Sequence, residues 1–541
     1  DKMCDVGAVS NTDTFIKQGA YNTETATSWS WGALKNVNYF IDGCNDPKYC
    51  TVEAETRDNY LGIARWFRAW FYYDKLTTYG EVPWFPNDIQ SYQNDVMYKD
   101  RDSRDVIIRN LIADLDFAYE HIQATSSTGS ATLTRWAAAA LKSRVCLFEA
   151  AYRRYHNLTG LEITPEELYR EAAKAAKLVI DNSGCSLNTA AGKKGAYRDL
   201  FYSETPLTQE VILAVCANEK SGIFGEQNWW FNARSYGLCW SLVRSFVHTY
   251  LKQDGTPFTA AADYAVKSFA EEMEGRDLRL EQTVRGRNFL WDGKTAVADI
   301  KNLSLTGYQV IKYTLDESKY DGGAKNINSI PLIRYAEVLL NYAEAQAELG
   351  VITDSEWALT VGALRKRAGI TGGTETLPTT VDSYLQRTFY PDVTSPVLLE
   401  IRRERAIELV AEGMRFDDLR RWKCGSLMET LPWSGIHIPG LEQPVDVNGD
   451  GVNDYYFTEG EVASAPAAYK NIAVRVNQDG VGLYAEANPV SGYDLVYKTG
   501  AGDRYWYPDG RQYLYPIPAK VIRDYRNAGY TISQNPEWDN E

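Results

Sequence analysis

Leu398–Lys423, LLEIRRERAIELVAEGMRFDDLRRWK, is the stretch of sequence that decides the fold. Its apolar residues recur at helical spacing, which predicts two helices in tandem. Glu404, Glu408 and Glu412 recur every four residues among arginines, so ion pairs between neighbouring turns are available. Gly413 is placed to end the first helix in the left-handed conformation. We therefore predict a packed helical hairpin with a charged face.

The same helical pattern is found in two other parts of the chain. Apolar spacing and capping residues predict helices at about 57–78, 103–121, 134–155, 164–182, 330–350 and 355–368. Together with the hairpin they make four helix pairs, in helical-repeat parts at about 57–184 and 330–424. The fold class that we predict is mainly α.

The rest of the chain is less regular. Residues 185–329 hold one strand-like run, Glu210–Cys216, among aromatic-rich loops, and we interpret them as an insertion that packs on the helices. Residues 425–541 are rich in turn-forming residues. We expect one domain, 1–541, in which helices form a scaffold and a loop-rich part contains few short strands.

Composition and charge exclude some classes of function. The 541 residues are 44% hydrophobic and 24% charged, which is ordinary for a globular protein. The formal net charge of −15 makes nucleic acid a poor partner, because binding to phosphate needs clustered lysine and arginine.

No apolar run approaches the roughly 18 residues of a membrane span. The chain starts at Asp1, so we expect that a targeting segment has been removed.

Two cysteines lie close together in a short polar loop, CNDPKYC. The spacing of Cys44 and Cys50 can close a disulfide, which stabilises a fold by about 2–3 kcal/mol through loop entropy. The bond depends on an oxidising compartment, and two free thiols are the alternative.

A calcium-loop pattern occurs at Asp446–Asp454, DVNGDGVND. Oxygen-bearing side chains alternate along it, and Gly451 permits the sharp turn that such loops need. The predicted ligands are Asp446, Asn448, Asp450, the carbonyl of Val452, and Asp454. The twelfth position is Phe457 and not Glu, which excludes a true EF-hand. We predict structural Ca²⁺, and a solvated Asp- and Gly-rich turn is the alternative.

Five motifs in order carry a resemblance to a known family. They are RWFRAWFYYDKLTTYGEVP (Arg65–Pro83), RYAEVLLNYAEAQAELG (Arg334–Gly350), LRKRAGI (Leu364–Ile370), the hairpin core Glu404–Trp422, and the segment Tyr515–Trp538 that begins YPIPAKVI. With these motifs the chain resembles the SusD/RagB family, the surface glycan-binding lipoproteins of Bacteroidetes.

The resemblance implies both architecture and function. It implies four tetratricopeptide-like helix pairs as a scaffold, a glycan site on the irregular part, and no catalysis. It also implies a partner, a SusC-like TonB-dependent outer-membrane transporter, to which the protein delivers oligosaccharide or polysaccharide. The full-length protein would sit on the outer membrane through a lipid anchor that this chain does not contain.

Glycan binding needs aromatic faces for the sugar rings and amides or charged groups for the hydroxyls. The loop after the first conserved helix, which the family often uses for stacking, offers Trp84 and Asn87. Pro83 and Pro86 hold this loop extended, so we expect Trp84 and Phe85 to face solvent. The alternative is that these rings belong to the core.

The insertion supplies further candidates for sugar contact. They are Arg287, Asn288 and Trp291 in GRNFLWDG, and Trp229, Trp230 and Tyr236 in the preceding aromatic loops. Trp31 and Tyr39, near the start of the chain, are weaker candidates.

Two other functions stay open at this stage. One is an all-helical glycoside hydrolase, since the 72 acidic residues allow many carboxylate pairs. The other is a helical-repeat scaffold for protein partners. The four histidines show no HExxH spacing, and the sequence has neither a G-x-S-x-G elbow nor a phosphate-binding loop.

Overall fold

The structure is a computed structural model that describes residues 3–126, 131–232 and 238–539. The helices are α1 (Gly32–Asn45), α2 (Ala54–Tyr79), α3 (Asn94–Met97), α4 (Arg104–His121), α5 (Arg135–Tyr155), α6 (Pro165–Asn182), α7 (Asp199–Tyr202), α8 (Gln227–Asn232), α9 (Arg244–Val247), α10 (Phe269–Met273), α11 (Arg279–Thr283), α12 (Tyr335–Glu348), α13 (Asp354–Leu359), α14 (Val361–Arg367), α15 (Ser383–Phe389), α16 (Pro396–Glu408), α17 (Arg415–Arg421), α18 (Leu427–Thr430) and α19 (Ala519–Asn527).

The strands are short. They are β1 (Gly7–Ala8), β2 (Val211–Val215), β3 (Ser241–Leu242), β4 (Leu290–Trp291), β5 (Lys294–Thr295), β6 (Ile330–Arg334), β7 (Ser434–Ile438), β8 (Pro444–Val445), β9 (Tyr455–Thr458), β10 (Ala473–Arg475), β11 (Leu483–Ala487) and β12 (Tyr493–Tyr497). They form small sheets, β1–β3, β2–β6, β4–β5, β10–β9–β8 and β11–β12–β7. The predicted mainly α fold with few short strands is confirmed.

Local capping sets where the long helices begin. The hydroxyls of Ser103, Thr134 and Thr164 each accept the backbone N–H three residues further on, at the starts of α4, α5 and α6. Glu167 completes a capping box with Thr164. These bonds satisfy N–H groups that the first turn of a helix leaves without partners.

Helix packing builds the scaffold. Helix α2 packs against α4, α5 against α6, and α12 against both α6 and α16. The Ala-rich start of α5 is buried at Ala137, Ala138, Ala139 and Ala140, and small side chains there let neighbouring helices approach closely. Among the described residues, none of the helices is both long and apolar enough to cross a membrane.

Two predicted helices differ in the structure. The helix expected at 330–350 begins only at Tyr335, because Ile330–Arg334 is a strand that pairs with β2 in antiparallel register. The helix expected at 355–368 is broken at Thr360, whose φ of −108° and ψ of −95° are not helical. The strand depends on a partner more than 100 residues away, which helical periodicity does not reveal.

The charged hairpin is buried, and its charges pair with other elements. Glu404 is 1% exposed and Glu408 is 0% exposed. Glu408 accepts from Arg334 at 3.1 Å and from Arg279 at 2.9 Å, and it also pairs with Arg367. The expected pairs between neighbouring turns do form, as between Arg403 and Glu400 at 3.1 Å. The glutamates at 404 and 408, however, pair with other elements instead. Carboxylates spaced by four residues face one side of α16, where β6, α11 and α14 place their arginines.

The end of α16 also differs from the prediction. The helix ends at Glu408, five residues before Gly413, although Gly413 does adopt a left-handed φ of 82°. Ala411 is left-handed as well, with a φ of 65°. The unwound turn lets Glu412 reach Lys312 Nζ at 2.7 Å and the guanidinium of Arg334 at 2.6 Å.

We predict that Glu408→Gln destabilises the protein strongly. Burial opposes ionisation of Glu408, but Arg367, Arg334 and Arg279 outweigh it and hold the pKa of this carboxyl well below its usual range. The substitution leaves buried guanidiniums without their counter-charge, so the free energy of unfolding should fall by about 3–5 kcal/mol in chemical denaturation. The matched control is Glu486→Gln in the exposed pair with Lys498, which should cost about 1 kcal/mol or less. Equal effects of the two changes would contradict the account.

We also predict that acid weakens the fold. Burial opposes ionisation of Glu344, Glu412 and Asp418, yet their cationic neighbours hold each pKa below its usual range. At a pH above the pKa of the unfolded state, such groups contribute their full stabilisation. This stabilisation is lost as the pH falls through the pKa of the folded state. The free energy of unfolding should therefore decline as the pH falls below 4.5, which is the ordinary pKa of a glutamate side chain. Urea unfolding across this range measures it, and a flat profile down to about pH 3 would refute the prediction.

Candidate functional site

An aromatic-walled cleft lies between the N-terminal segment, the loop after α2, and α19. Its volume is about 790 Å³. The aromatic residues that line it are Trp29, Trp31, Phe85, Tyr98 and Tyr525. We call it the aromatic cleft. It combines ring faces with amide and charged groups at its edge, which is the composition expected of a site for a polar ligand with apolar faces.

Ring contacts hold the two tryptophans of this cleft. Trp29 and Trp31 pack edge to face with centroids 5.3 Å apart, and both rings stay half-buried. Trp31 also packs against Phe85 at 5.2 Å and Phe71 at 5.7 Å. Rings that are fixed by neighbours lose little freedom when a ligand binds, so these contacts preorganise the wall.

A buried amide joins α1 to the loop that forms the opposite wall. Asn38 is 1% exposed, and its Nδ2 donates to the carbonyls of Phe85 at 2.8 Å and Asn87 at 3.1 Å. At the edge of the cleft, Asn87 donates to Asp42 at 2.8 Å, and Lys35 pairs with Asp88 at 2.7 Å. The exposed Asn87 therefore does lie at this cleft, beside charged groups that can meet ligand hydroxyls.

The expected presentation of Trp84 and Phe85 to solvent is wrong. Trp84 is 7% exposed and Phe85 is 6% exposed. The hydroxyl of Tyr72 accepts from the Phe85 N–H at 2.7 Å and donates to the Pro83 carbonyl at 3.2 Å, so the loop turns back onto α2. The ring of Trp84 packs on Tyr72, with centroids 4.1 Å apart, while Phe85 still contributes to the wall of the aromatic cleft.

The group around Trp291 lies elsewhere. Trp291 is half-buried in the β4–β5 hairpin, with the guanidinium of Arg285 over its ring at 5.2 Å. Arg287 pairs with Glu274 at 2.8 Å, and Asn288 is exposed. None of the three predicted residues lines the aromatic cleft.

Of the remaining aromatic candidates, Trp230 lies at a second cleft. Trp230 is 45% exposed at the end of α8 and packs edge to face with Trp229 at 5.2 Å. It lines a cleft of about 670 Å³ between α2, α8 and the segment 411–417, which includes the start of α17. We call this the acidic cleft. Tyr236 lies outside the described residues.

The structure thus divides the predicted site residues between separate surfaces. Asn87 lines the aromatic cleft, Trp230 lines the acidic cleft, and Trp84 and Trp291 line neither. Sequence reasoning gave Trp31 little weight and missed Trp29, Tyr98 and Tyr525 as wall residues. The two tryptophans directly before α1 could have indicated an aromatic wall from the sequence alone. Tyr525 lies more than 400 residues from the other wall residues, and nothing local indicates that it reaches them.

The 446–454 loop is a compact turn in which acidic side chains accept hydrogen bonds from the loop's own backbone. Asp446 accepts the N–H groups of Gly449 and Gly451 at 2.7 Å each, and Asp450 accepts that of Val452 at 2.8 Å. Burial raises the pKa of Asp454, and the nearby Asp450 and Asp446 raise it further. Within residues 3–126, 131–232 and 238–539, no group of three His, Cys, Asp or Glu side chains has an arrangement that could hold a metal ion. The oxygen donors nevertheless suit a hard cation, which would relieve the repulsion between these carboxylates.

The conditional disulfide is not formed. Cys44 and Cys50 are both free thiols. Burial raises the pKa of Cys44, and the neighbouring Cys50 thiol adds to this effect. The CNDPKYC loop therefore brings the two sulfurs near each other without a bond.

Solved structures of SusD-like proteins share this fold. A SusD-like protein from Bacteroides fragilis NCTC 9343 matches with a TM-score of 0.65 and 21% identity, over 99% of this chain and 92% of that one. A SusD-like carbohydrate binding protein from the same organism gives a TM-score of 0.67 and 18% identity, over 96% and 90% of the two chains. A SusD superfamily protein from Parabacteroides distasonis ATCC 8503 gives a TM-score of 0.57 and 18% identity, over 99% of this chain and 92% of that one.

Sequence comparison assigns the family. A comparison with curated proteins gave no match. The sequence model of the SusD family matches residues 209–538, which is more than half of the chain and includes four of the five motifs given above. The chain belongs to the SusD family.

Proposed function

We propose that the protein binds glycans without catalysis and that the aromatic cleft is its glycan site. The observation that carries the proposal is the pair of half-buried tryptophans, Trp29 and Trp31, on one wall of a 790 Å³ cleft in a SusD-family chain. One structural neighbour, from Bacteroides fragilis, is described as a carbohydrate binding protein, which supports the same class of ligand.

The chemistry of the cleft suits neutral sugars. A pyranose ring has apolar C–H faces, which pack on aromatic rings, and a periphery of hydroxyls. Trp29 and Trp31 supply the ring faces, and the exposed Asn87 and Lys35 supply donors at the edge. Lys35 already pairs with Asp88, and Arg523 pairs with Glu24, so the edge offers hydrogen bonds without a strong net charge.

We also propose where the protein acts. Membership of the SusD family supports a position on the outer-membrane surface, with delivery of bound glycan to a SusC-like TonB-dependent transporter. In this role the protein concentrates oligosaccharide at the transporter, and no bond in the sugar is made or broken.

A second proposal concerns the 446–454 loop, which we propose binds Ca²⁺ in a structural role. Asp446, Asn448, Asp450 and Asp454 supply side-chain oxygens, and Val452 supplies a carbonyl. The electrostatic repulsion of Asp454 by Asp450 and Asp446 supports it, because a divalent cation would compensate that repulsion.

We predict that Trp31→Ala weakens glycan binding. Loss of one wall ring should lower the affinity for the best ligand of a neutral polysaccharide panel by about tenfold or more, measured by isothermal titration calorimetry. Tyr92→Ala is the matched control, because Tyr92 is 81% exposed and does not line the cleft. The proposal fails if no glycan of the panel binds, or if Trp31→Ala and Tyr92→Ala bind equally well.

We predict that calcium raises the thermal stability. At a free calcium concentration about one hundred times the dissociation constant, the gain in unfolding free energy is about 2.7 kcal/mol, seen as a higher melting temperature than in chelator. Asp450→Asn should abolish the shift, whereas Asp479→Asn, at an exposed aspartate outside the loop, should keep it. Identical melting of the unchanged protein with and without calcium would rule the site out.

A further inference from the structure

The acidic cleft lies between the scaffold and the insertion. Helix α2 contributes Trp70 and Asp74 to one wall, and α8 contributes Gln227 and Trp230 to the other. Glu226 lies just before α8, at the same cleft. The cleft shares no lining residue with the aromatic cleft, so it is a separate surface.

Most charged groups of this cleft are neutralised by partners. Arg144 donates twice to Glu337, at 2.6 Å in each case. Asp417 pairs with Arg420 at 2.5 Å. Glu412, as described above, is held by Lys312 and Arg334. These groups therefore hold the walls in place and have little charge left for a ligand.

Three acceptors in the cleft are left without donors. Within the described part of the chain, the carboxylates of Asp74 and Glu226 have no hydrogen-bond or ion-pair partner. Gln227 is 7% exposed, its Nε2 donates to the Asn328 carbonyl at 3.1 Å, and its Oε1 is buried with no partner. The two carboxylates are exposed and add negative charge to the cleft, whereas the buried Oε1 of Gln227 is an unpaired acceptor, which is costly. A complementary ligand would therefore bring donors.

Aromatic rings stand beside these acceptors. Trp70 stacks on Trp66 with centroids 5.2 Å apart, and the guanidinium of Arg144 already lies over the Trp70 ring at 5.6 Å. The ring that the cleft offers to a ligand is therefore that of Trp230, which is 45% exposed. An aromatic face attracts a cation through its quadrupole, and a nearby carboxylate attracts it directly. Burial raises the pKa of Asp74 and the neighbouring Asp417 raises it further, while Lys75 and Arg420 act in the opposite direction.

From this arrangement we infer that the acidic cleft is a second glycan site, selective for a sugar that carries a free ammonium group, such as a glucosamine unit. The inference rests on the proposed glycan-binding function and adds a site and a substrate class to it. Trp230 packs on the sugar ring, and Asp74 and Glu226 take the ammonium. Uronic acids and sulfated sugars are excluded, because the one basic side chain lining the cleft, among the described residues, is engaged by Glu337.

The test compares two oligosaccharides that differ only at nitrogen. A chitosan trisaccharide, with free amines, and its fully N-acetylated counterpart are titrated calorimetrically into the whole protein at about pH 6, where the amines are protonated. We expect the free amine to bind at least about tenfold more tightly, since a charged hydrogen bond is lost on acetylation. Trp230→Ala and Asp74→Asn should each remove most of this preference.

The controls separate this site from the aromatic cleft. Asp479→Asn removes an equal charge at an exposed position outside the cleft and should leave the preference intact. Trp230→Ala should leave binding of neutral glycans at the aromatic cleft unchanged, so the two sites can fail independently. The inference is overturned if both trisaccharides bind equally, if neither binds, or if the preference survives Trp230→Ala and Asp74→Asn in protein that melts normally.

Discussion

The carboxylate of Glu408 joins elements that lie far apart in the sequence. It receives guanidinium groups from α11, β6 and α14, and two of the same arginines also hold Glu210 at the start of β2. The network therefore ties the insertion to the second helical-repeat part, at about 330–424. Burying a charge is costly, and this network persists because each buried charge meets an opposite one. Its contribution lies as much in specifying one arrangement as in net stability.

With the scaffold fixed, the irregular ends of the chain can build a precise surface. Phe15 stacks on Tyr515 with centroids 3.9 Å apart, and Gln512 donates to the Phe15 carbonyl at 2.7 Å. These contacts bring the N-terminal segment and the last helix to the same end of α2. The aromatic cleft forms there, from three stretches of chain that share no local pattern. The aromatic cleft thus depends on loops, while the charged helices set the positions from which those loops start.

The fold could be predicted from sequence wherever the cause was local. Ser103, Thr134 and Thr164 mark helix starts because capping is a contact between residues three apart. The strand at 330–334 could not be seen, because it exists only through pairing with 211–215. The site was harder still. The prediction for Trp84 was wrong because the two prolines indicate that the loop is stiff but not where it points. The direction of the loop is set by the hydrogen bonds of the Tyr72 hydroxyl.

The central claim is that the tryptophans before α1 form the recognition surface. A crystal structure of the protein with its tightest-binding neutral oligosaccharide tests this claim most directly. The account predicts a sugar ring packed against Trp29 or Trp31, with hydroxyls within hydrogen-bond distance of Asn87 or Lys35. A sugar bound on another surface, with the aromatic cleft empty and both tryptophans uncovered, would contradict it.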